Sequence, residues 1–380
     1  MPRAAGATVL ACGAFLKNRA CRVDGDRAHW SALHGDLDDG AACEALADSV
    51  EVLLARSSAP VQAVAHDLHP DFHSTRLALA LAERLAVPAI AVQHHHAHVG
   101  VVLAEQGMTR PVIGLALDGV GLGSDGLAWG GELLWVDRDA DRWHRIAHLA
   151  PLALPGGDIA AREPWRLAAA VLFAAGRGDE IEPRFAPQVG SAATRLLHQM
   201  LQRGLNCPRS TGAGRWFDAA AGALGLSLRQ STEAEAAIAL ERAAHRWLAL
   251  HPGFDFDWPT LDLQPLVAEL FALREQGGDG VARGAAMFHL GLAGALVRRA
   301  VDAARHHDTD TVVLAGGCLA NRILGQRLRG GLARAGLRVL EAGAAGCGDA
   351  GLALGQAWIA ASALAAGRVD VVTAGTAVEA

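Results

Sequence analysis

The chain repeats one α/β plan twice. Each copy opens with an apolar strand, a glycine-containing turn and a second strand: Thr8 to Cys12 with Ala20 to Val23, then Val112 to Leu117 with Leu127 to Val136. Strands and helices alternate after both openings, a pattern typical of α/β lobes. We therefore predict a two-lobed α/β fold with a nucleotide cleft between the lobes.

The chain length fits this plan, since 380 residues can form two lobes with separate cores. We place the first lobe at 1–108 and the second at 109–380, with a mainly helical insertion at about 159–304. Apolar residues recur there with a period near 3.6, most clearly in Glu233 to Leu250 and Gly284 to Ala304. The last dozen residues are expected to form a loose tail.

Composition excludes several classes of protein. The formal net charge of −6, without a basic cluster interleaved with aromatic residues, argues against nucleic-acid binding. We find neither a signal peptide nor an apolar run of membrane-spanning length, and predict a cytoplasmic protein without a membrane partner. The cysteines show no CxxC spacing, as expected for reduced thiols and not for a zinc or disulfide framework. They are Cys12, Cys21, Cys43, Cys207, Cys318 and Cys347.

Two histidines one helical turn apart predict a metal site. His94 and His98 stand at i and i+4, so that one face of a helix can present both imidazoles to one ion. Asp118 follows the next strand, and Asp349 lies far downstream in Gly348-Asp349-Ala350-Gly351. Two imidazoles and two carboxylates suit iron, zinc or manganese better than a thiolate-binding ion. The alternative is a solvated, histidine-rich helix start.

Two glycine-rich segments are candidates for phosphate binding. Asp118 to Gly123 is predicted as a turn in which Gly119 and Gly121 let backbone N–H groups approach a phosphate. Gly316 and Gly317 lie between a strand and a helix that starts near Asn321. The helix N-terminus favours anions, and Asn321 can read an adenine or ribose edge. The alternatives are an ordinary tight hairpin and a βα turn with an asparagine N-cap. No GxxxxGK[ST] motif is present, which excludes a P-loop.

Lys17 is the only lysine of the chain, and the other basic side chains are arginines. It lies at the predicted tip of the first hairpin, where a flexible ammonium can reach a phosphate as a point charge. A solvated turn lysine explains the position equally well.

Eight motifs follow one another along the chain. They are Val64–Pro70 with Ser74–Arg76, Gln93–His98, Asp118–Gly123 with Trp129–Glu132, Pro155–Asp158 with Arg162–Arg166, Gly214–Asp218, Glu233 with Ala236–Ala237, Gly316–Asn321 and Asp349–Gln356. Their order and spacing resemble the C-terminal domain of the hydrogenase-maturation carbamoyltransferase HypF, from roughly Val9 to Leu364. That domain is similar to the Kae1/TsaD family of the actin-like, sugar-kinase and Hsp70 superfamily.

The resemblance implies a function and a site. A carbamoyl-adenylate, made from carbamoyl phosphate and ATP, would bind in the cleft. Its carbamoyl group would pass to the C-terminal cysteine of a HypE-type partner, which forms the cyanide ligand precursor of [NiFe] hydrogenase. The implied ligands of an iron or zinc ion are His94, His98, Asp118 and Asp349. The implied nucleotide contacts are Gly119, Gly121, Asp218, Glu233, Gly316, Gly317 and Asn321. Lys17 would be a catalytic residue that stabilises the negative charge of the phosphate. His69 and Arg162 would contact the substrate.

Other readings of these residues stay open. Asp218 and Glu233 can be first-turn helix carboxylates, Arg162 a surface cation and His69 a structural residue. Ala350 stands where the family loop usually has glycine, and Trp216 where leucine is common. The zinc-finger, acylphosphatase and YrdC-like domains of the full-length family enzyme have no counterpart here. We therefore expect a stand-alone transferase domain that receives carbamoyl-adenylate from a separate YrdC-like protein.

Two further functions fit the same motifs. The chain can be an O-carbamoyltransferase that acts on a small-molecule hydroxyl. It can also keep only a residual role, as a carbamoyl phosphate phosphatase or a binding protein without transfer.

Overall fold

The computed structural model describes residues 6–57, 59–137 and 142–367, so the predicted tail lies outside the described residues. The strands are β1 (Thr8–Ala11), β2 (Cys21–Asp24), β3 (Arg27–Trp30), β4 (Ala63–Asp67), β5 (Ala89–Val92), β6 (Val112–Leu122), β7 (Ala128–Asp137), β8 (Arg142–His148), β9 (Leu152–Ala153), β10 (Arg209–Ser210), β11 (Thr311–Ala315) and β12 (Arg338–Glu341). The helices are α1 (Gly40–Ala55), α2 (His73–Leu85), α3 (His94–Gln106), α4 (Ile159–Arg162), α5 (Pro164–Ala174), α6 (Ile181–Val189), α7 (Ser191–Arg203), α8 (Ala213–Ala223), α9 (Glu235–Leu250), α10 (Gln264–Arg274), α11 (Gly277–His306), α12 (Arg322–Arg334) and α13 (Leu352–Ala365). Short 3₁₀ turns lie at Gly178–Glu180, Gly317–Ala320 and Asp349–Gly351.

The first sheet has the order β3-β2-β1-β4-β5. β1 and β2 form the predicted antiparallel hairpin, and β4 pairs in parallel with both β1 and β5. β3, an edge strand with the sequence Arg-Ala-His-Trp, was not predicted. The strand is short, none of its residues is fully buried, and Arg27 and His29 are polar, so it gives a weak apolar signal.

The second sheet has the order β12-β11-β6-β7-β10-β9, with β8 paired to β7. The predicted turn at Asp118 to Gly123 is wrong, because β6 continues to Leu122 and pairs with β7 across a register shift between Leu117 and Gly121. The chain turns only afterwards, where Gly126 N–H donates to Gly123 O at 3.0 Å. A bulge and a turn both favour glycine, so composition alone did not separate them. The bulge re-aims the side chain of Asp118.

Two helices connect the sheets. α3 follows the first sheet in sequence but packs on β6 and β11 of the second, whereas α13 packs on β1, β2 and β4 of the first. The two helices also pack against each other, and glycine permits their approach. A Cβ atom at Gly355 would lie 1.9 Å from Ala97 O, and one at Gly100 would lie 2.8 Å from Ile359 Cδ1. The lobe boundary at residue 108 falls between the sheets and stays a prediction.

The insertion at about 159–304 of the second lobe is mainly helical, as predicted. Its helices α5, α8, α9, α10 and α11 share one large hydrophobic core. The fold class is therefore the expected two-lobed α/β architecture. Among the described residues, α11 alone is long and apolar enough to cross a membrane by length and composition. The sequence predicted no apolar run of this length, and length and composition alone do not make α11 a membrane span. In the most apolar window of α11, 78% of the residues are buried inside the protein, and a core helix passes the same test.

Candidate metal and nucleotide site

Four predicted ligands meet where the N-terminus of α3, the bulge of β6 and the turn before α13 come together. Asp118 Oδ2 lies 3.1 Å from His98 Nε2 and 3.3 Å from His94 Nε2. Asp349 Oδ1 lies 3.4 Å from His98 Nε2 and 3.8 Å from His94 Nε2. One ligand atom from each of these residues lies within 4.8 Å of the others.

This geometry fits a metal ion. Ligand atoms that surround a tetrahedral ion at about 2.1 Å lie roughly 3.4 Å from one another, close to the separations found here. The donor set consists of imidazole nitrogens and carboxylate oxygens without a thiolate, which suits iron, zinc or manganese. The structure thus brings the four residues together, while ligation and the choice of metal stay predictions.

Hydrogen bonds and charge attraction link the four side chains. Burial alone would lower the pKa of His94, but Asp67 and Asp118 outweigh it and raise that pKa well above its ordinary value. The pKa of His98 is also raised, since Asp118 and Asp349 outweigh burial. Burial would raise the pKa of Asp118, yet hydrogen bonds from both histidines hold it well below its ordinary value. A cation that binds here must displace protons, so binding should weaken as the pH falls.

The start of α3 is fixed by its own cap. Gln93 Oε1 accepts from His96 N–H at 2.8 Å, and Gln93 Nε2 donates to Leu122 O at 3.0 Å. The second bond ties the His-bearing helix directly to the end of β6. Gln93 was not among the predicted site residues, although a polar residue before a predicted helix is an N-cap signal.

Two further carboxylates support the ligands, and neither was among the predicted site residues. Asp67 Oδ2 lies 2.8 Å from His94 Nδ1, at the end of β4. Glu105, near the end of α3, accepts from the backbone N–H groups of Gly343 and Ala345, the latter at 2.8 Å. α3 therefore holds the loop that leads to Asp349. Asp67 stood in a motif and was detectable, whereas no local pattern identified Glu105.

The glycines of the β6 bulge make room for other groups. A Cβ atom at Gly121 would lie 2.7 Å from His94 Cδ2 and 2.8 Å from His95 Cε1, so glycine lets the imidazoles pack against the strand. Gly119 N–H donates to Asp118 Oδ1 at 2.8 Å. Close packing therefore accounts for Gly121, and the phosphate contacts of both glycines stay predictions.

The Gly-Gly loop lies beside the four ligands. Gly316 has a φ of 98°, and a Cβ atom there would lie 2.3 Å from Leu117 O, so only glycine fits. A Cβ atom at Gly317 would lie 3.1 Å from Asp118 Oδ1. Gly316 N–H already donates to Cys347 O at 3.0 Å. A phosphate that approaches Gly317 would therefore also approach the metal site.

Asn321 is the N-cap of α12, which was the alternative to a nucleotide contact. Its Oδ1 accepts from Leu324 N–H at 2.9 Å, and its Nδ2 lies 2.9 Å from His289 Nε2. The side chain keeps one amide hydrogen for another partner, so the proposed nucleotide contact stays a prediction.

The remaining candidates lie around the cleft. Asp218 is buried in α8, where Arg215 Nη2 lies 2.9 Å from its Oδ2. Burial raises the pKa of Asp218, and the Arg215 cation, which lowers it, does not outweigh burial. Lys17 Nζ lies 2.6 Å from Glu233 Oε2, so this ion pair joins the β1–β2 loop to the segment before α9.

His69 and Arg162 are less directly placed. The His69 ring stacks on Phe72 with a centroid distance of 4.2 Å, and Arg162 is exposed at the end of α4. Within the described residues, neither side chain forms an ion pair with the four ligands. Their roles toward the substrate stay predictions.

His289 should make the stability of the fold depend on pH. Burial lowers its pKa to about 4, so between this value and the ordinary value of about 6.5 the unfolded chain binds more protons. The stabilisation is present above the unfolded pKa and lost as the pH falls toward 4, by roughly 3 kcal/mol. Unfolding in urea at several pH values should show a smaller pH dependence for His289→Gln.

His251→Gln is the matched control, because His251 is exposed at the end of α9. It should reproduce the pH dependence of the wild type. Identical pH profiles for His289→Gln and the wild type would contradict the prediction.

Comparison with known proteins gives consistent matches. The family models HypF Kae1-like domain and Carbamoyltransferase, Kae1-like Domain, second subdomain match residues 4–105 and 114–356. The Carbamoyltransferase HypF homolog of Cupriavidus necator is 58% identical over 93% of this chain and 92% of its own. Carbamoyltransferase HypF2 of the same organism is 47% identical over 93% of this chain and 46% of its own.

Solved structures agree. T. kodakarensis HypF superposes with a TM-score of 0.86 and 28% identity over 96% of this chain and 48% of its own. A full-length HypF in the phosphate- and nucleotide-bound form has a TM-score of 0.83 and 30% identity over 94% of this chain and 56% of its own. The chain thus spans about half the length of these HypF proteins, and nearly all of the shorter homolog.

Proposed function

The chain belongs to the HypF carbamoyltransferase family, and from this premise we propose that it transfers a carbamoyl group from carbamoyl-adenylate to the C-terminal cysteine of a HypE-type maturation protein. The observation that supports this most is the position of the four candidate ligands beside Gly317. That position would bring the phosphate of an adenylate next to a bound cation. We place the reaction in the cytoplasm.

The proposed reaction is an acyl transfer from oxygen to sulfur. The partner's thiol loses its proton, and the thiolate attacks the carbamoyl carbon. A C–S bond forms, the bond from that carbon to the phosphate oxygen breaks, and AMP leaves with the electron pair. An iron or zinc ion held by His94, His98, Asp118 and Asp349 would supply Lewis-acid polarisation of the carbamoyl or phosphate oxygen.

The cysteines near the cleft support an external nucleophile. Burial raises the pKa of Cys12 to about 12, holds the pKa of Cys318 well above its ordinary value and also raises the pKa of Cys347. A thiolate is the reactive form of cysteine, so burial makes these three thiols weak nucleophiles near neutral pH. The acceptor thiol would therefore come from a partner.

The nucleotide would bind between the Gly-Gly loop and the segment before α9. The N-terminus of α12 favours anionic groups, and Gly317 leaves space for a phosphate. Glu233 and Asp218 would accept from ribose hydroxyls or the adenine amino group. A related full-length HypF was solved in a phosphate- and nucleotide-bound form, which supports nucleotide binding in this family.

Lys17→Ala should weaken nucleotide binding and leave the fold intact. The ammonium lies in the β1–β2 loop and faces the cleft through its pair with Glu233, so it would contact a phosphate there. The loss of one charge-assisted contact weakens binding about tenfold. The exposed ion pair contributes at most about 1 kcal/mol to stability. Calorimetric titration with ATP and urea unfolding measure the two effects.

Arg84→Ala is the control, since Arg84 and Glu51 form an ion pair of similar exposure in the same lobe, with side chains 52% and 56% exposed. It should leave ATP affinity unchanged. ATP affinity that stays the same in Lys17→Ala would remove Lys17 from the site.

Intact-mass spectrometry of the Cys-ended partner tests the function. The partner is incubated with this protein, carbamoyl phosphate and ATP, with and without a separate YrdC-like protein. We expect the partner to gain one carbamoyl group only when the YrdC-like protein is present. A partner whose terminal cysteine is replaced by serine is the control.

The other outcomes are equally informative. A gain without the YrdC-like protein would mean that this chain also activates carbamoyl phosphate. The absence of any gain would refute the proposed acceptor and favour a small-molecule hydroxyl or a role without transfer.

A further inference from the structure

Asp67 holds the face of His94 that points away from the other ligands. It is the last residue of β4 and is fully buried. Its Oδ2 lies 2.8 Å from His94 Nδ1, while His94 Nε2 faces Asp118 and Asp349. The two ring nitrogens therefore have different partners.

The carboxylate of Asp67 is itself fixed. Its Oδ1 accepts from His69 N–H at 3.0 Å. Rotation of this buried carboxylate would break the bond to His69. Asp67 therefore presents Oδ2 to His94 in one orientation.

An ionised carboxylate only accepts hydrogen bonds, so the nitrogen that faces it must carry the hydrogen. That places a hydrogen on Nδ1, so Nε2 is the nitrogen that can bind a cation. We propose that Asp67 is a positioning residue that sets the tautomer and the ring orientation of His94 for metal binding. Outer carboxylates of this kind raise the basicity of the ligand and typically change metal affinity 10- to 100-fold. The inference rests on the proposed metal site, and not on the transferred group or its acceptor.

Asp67→Asn keeps the shape of the side chain and replaces the hydrogen-bond acceptor that faces His94 with a donor. The amide oxygen stays on His69 N–H, so the NH₂ group faces His94 Nδ1. The imidazole must then carry its hydrogen on Nε2, where it blocks the metal, or the amide must flip and lose the bond to His69. We expect the affinity for Zn²⁺ and Co²⁺ to fall 10- to 100-fold, with altered d–d absorption bands of any Co²⁺ complex.

Thr75→Val is the matched control, since Thr75 is buried and its hydroxyl donates to the backbone carbonyl of Asp67, not to the carboxylate. Affinities are measured by competition with a chromophoric chelator. Thermal unfolding of the metal-free proteins, followed by circular dichroism, sets the temperature at which each variant is fully folded. Thr75→Val should keep the wild-type affinity.

Each outcome decides a separate point. Unchanged affinity in Asp67→Asn would overturn the role of Asp67 and leave the metal site standing. An equal loss in Thr75→Val would assign the effect to packing of the strand end, and also overturn it. A wild-type protein that binds neither ion would refute the metal site and this inference with it, while carbamoyl transfer to the partner remains separately measurable.

Discussion

Replacing both His94 and His98 with alanine should remove bound metal from the protein. The double variant keeps only Asp118 and Asp349 of the four candidate ligands, and it loses both neutral nitrogen donors. Elemental analysis of the purified wild type should give a stoichiometric divalent metal, and the double variant none. Carbamoyl transfer to the partner should be lost together with the metal.

The fold should survive this change. Alanine has the highest helix propensity, and α3 stays anchored by Ala97 and Val101 in the core that it shares with α13. The circular dichroism spectrum of the double variant should match that of the wild type.

His96→Ala is the control on the same helix, because His96 stacks on Trp143 at 4.9 Å and is not one of the four ligands. It should keep its metal. Metal that remains in the double variant would refute the site, and metal lost equally in His96→Ala would point to general disruption of α3.

Glu132→Ala should cause the largest loss of stability from a single substitution, about 3–5 kcal/mol. Glu132 is fully buried, and its Oε2 accepts from Arg145 Nε at 2.6 Å. Its Oε1 accepts from the N–H groups of Gly130 and Gly131 at 2.9 and 3.1 Å and from the Thr211 hydroxyl. Truncation leaves the two backbone N–H groups and the Thr211 hydroxyl without this acceptor, and leaves the Arg145 guanidinium with the longer contact to Asp125 Oδ2 at 3.4 Å.

The loss is measured as the shift of the urea unfolding curve. Glu182→Ala is the control, since its ion pair with Arg195 is exposed on the helical insertion, with side chains 44% and 60% exposed. That variant should change the stability by at most about 1 kcal/mol. A Glu132→Ala loss of the same small size would show that other groups take over the network.

Glu132 also connects stability to the site. Gly130 packs directly on the bulge, since a Cβ atom there would lie 2.8 Å from Asp118 O. The carboxylate of Glu132 thus holds the backbone on which Asp118 is displayed. We expect partially folded Glu132→Ala protein to bind metal more weakly than the wild type.

Local sequence patterns predicted the elements with strong periodicity. The helix predicted over Glu233 to Leu250 is α9, which begins at Glu235 and ends at Leu250. The i,i+4 spacing placed His94 and His98 on one helix face, because helical geometry alone requires it. The bulge of β6 and the edge strand β3 were not predicted correctly, since pairing with a neighbouring strand decides both and no local pattern encodes it.

The sequence by itself determined the residue types of the site, the helix that carries two of its ligands and the family to which the chain belongs. Only the tertiary structure decided which carboxylate lies behind His94 and which side chains cross the cleft. Asp67 reaches His94 because β4 and β5 pair in parallel. Lys17 meets Glu233 although 216 positions separate them. The packing of sheets and helices sets such distances, and spacing along the chain carries no information about them.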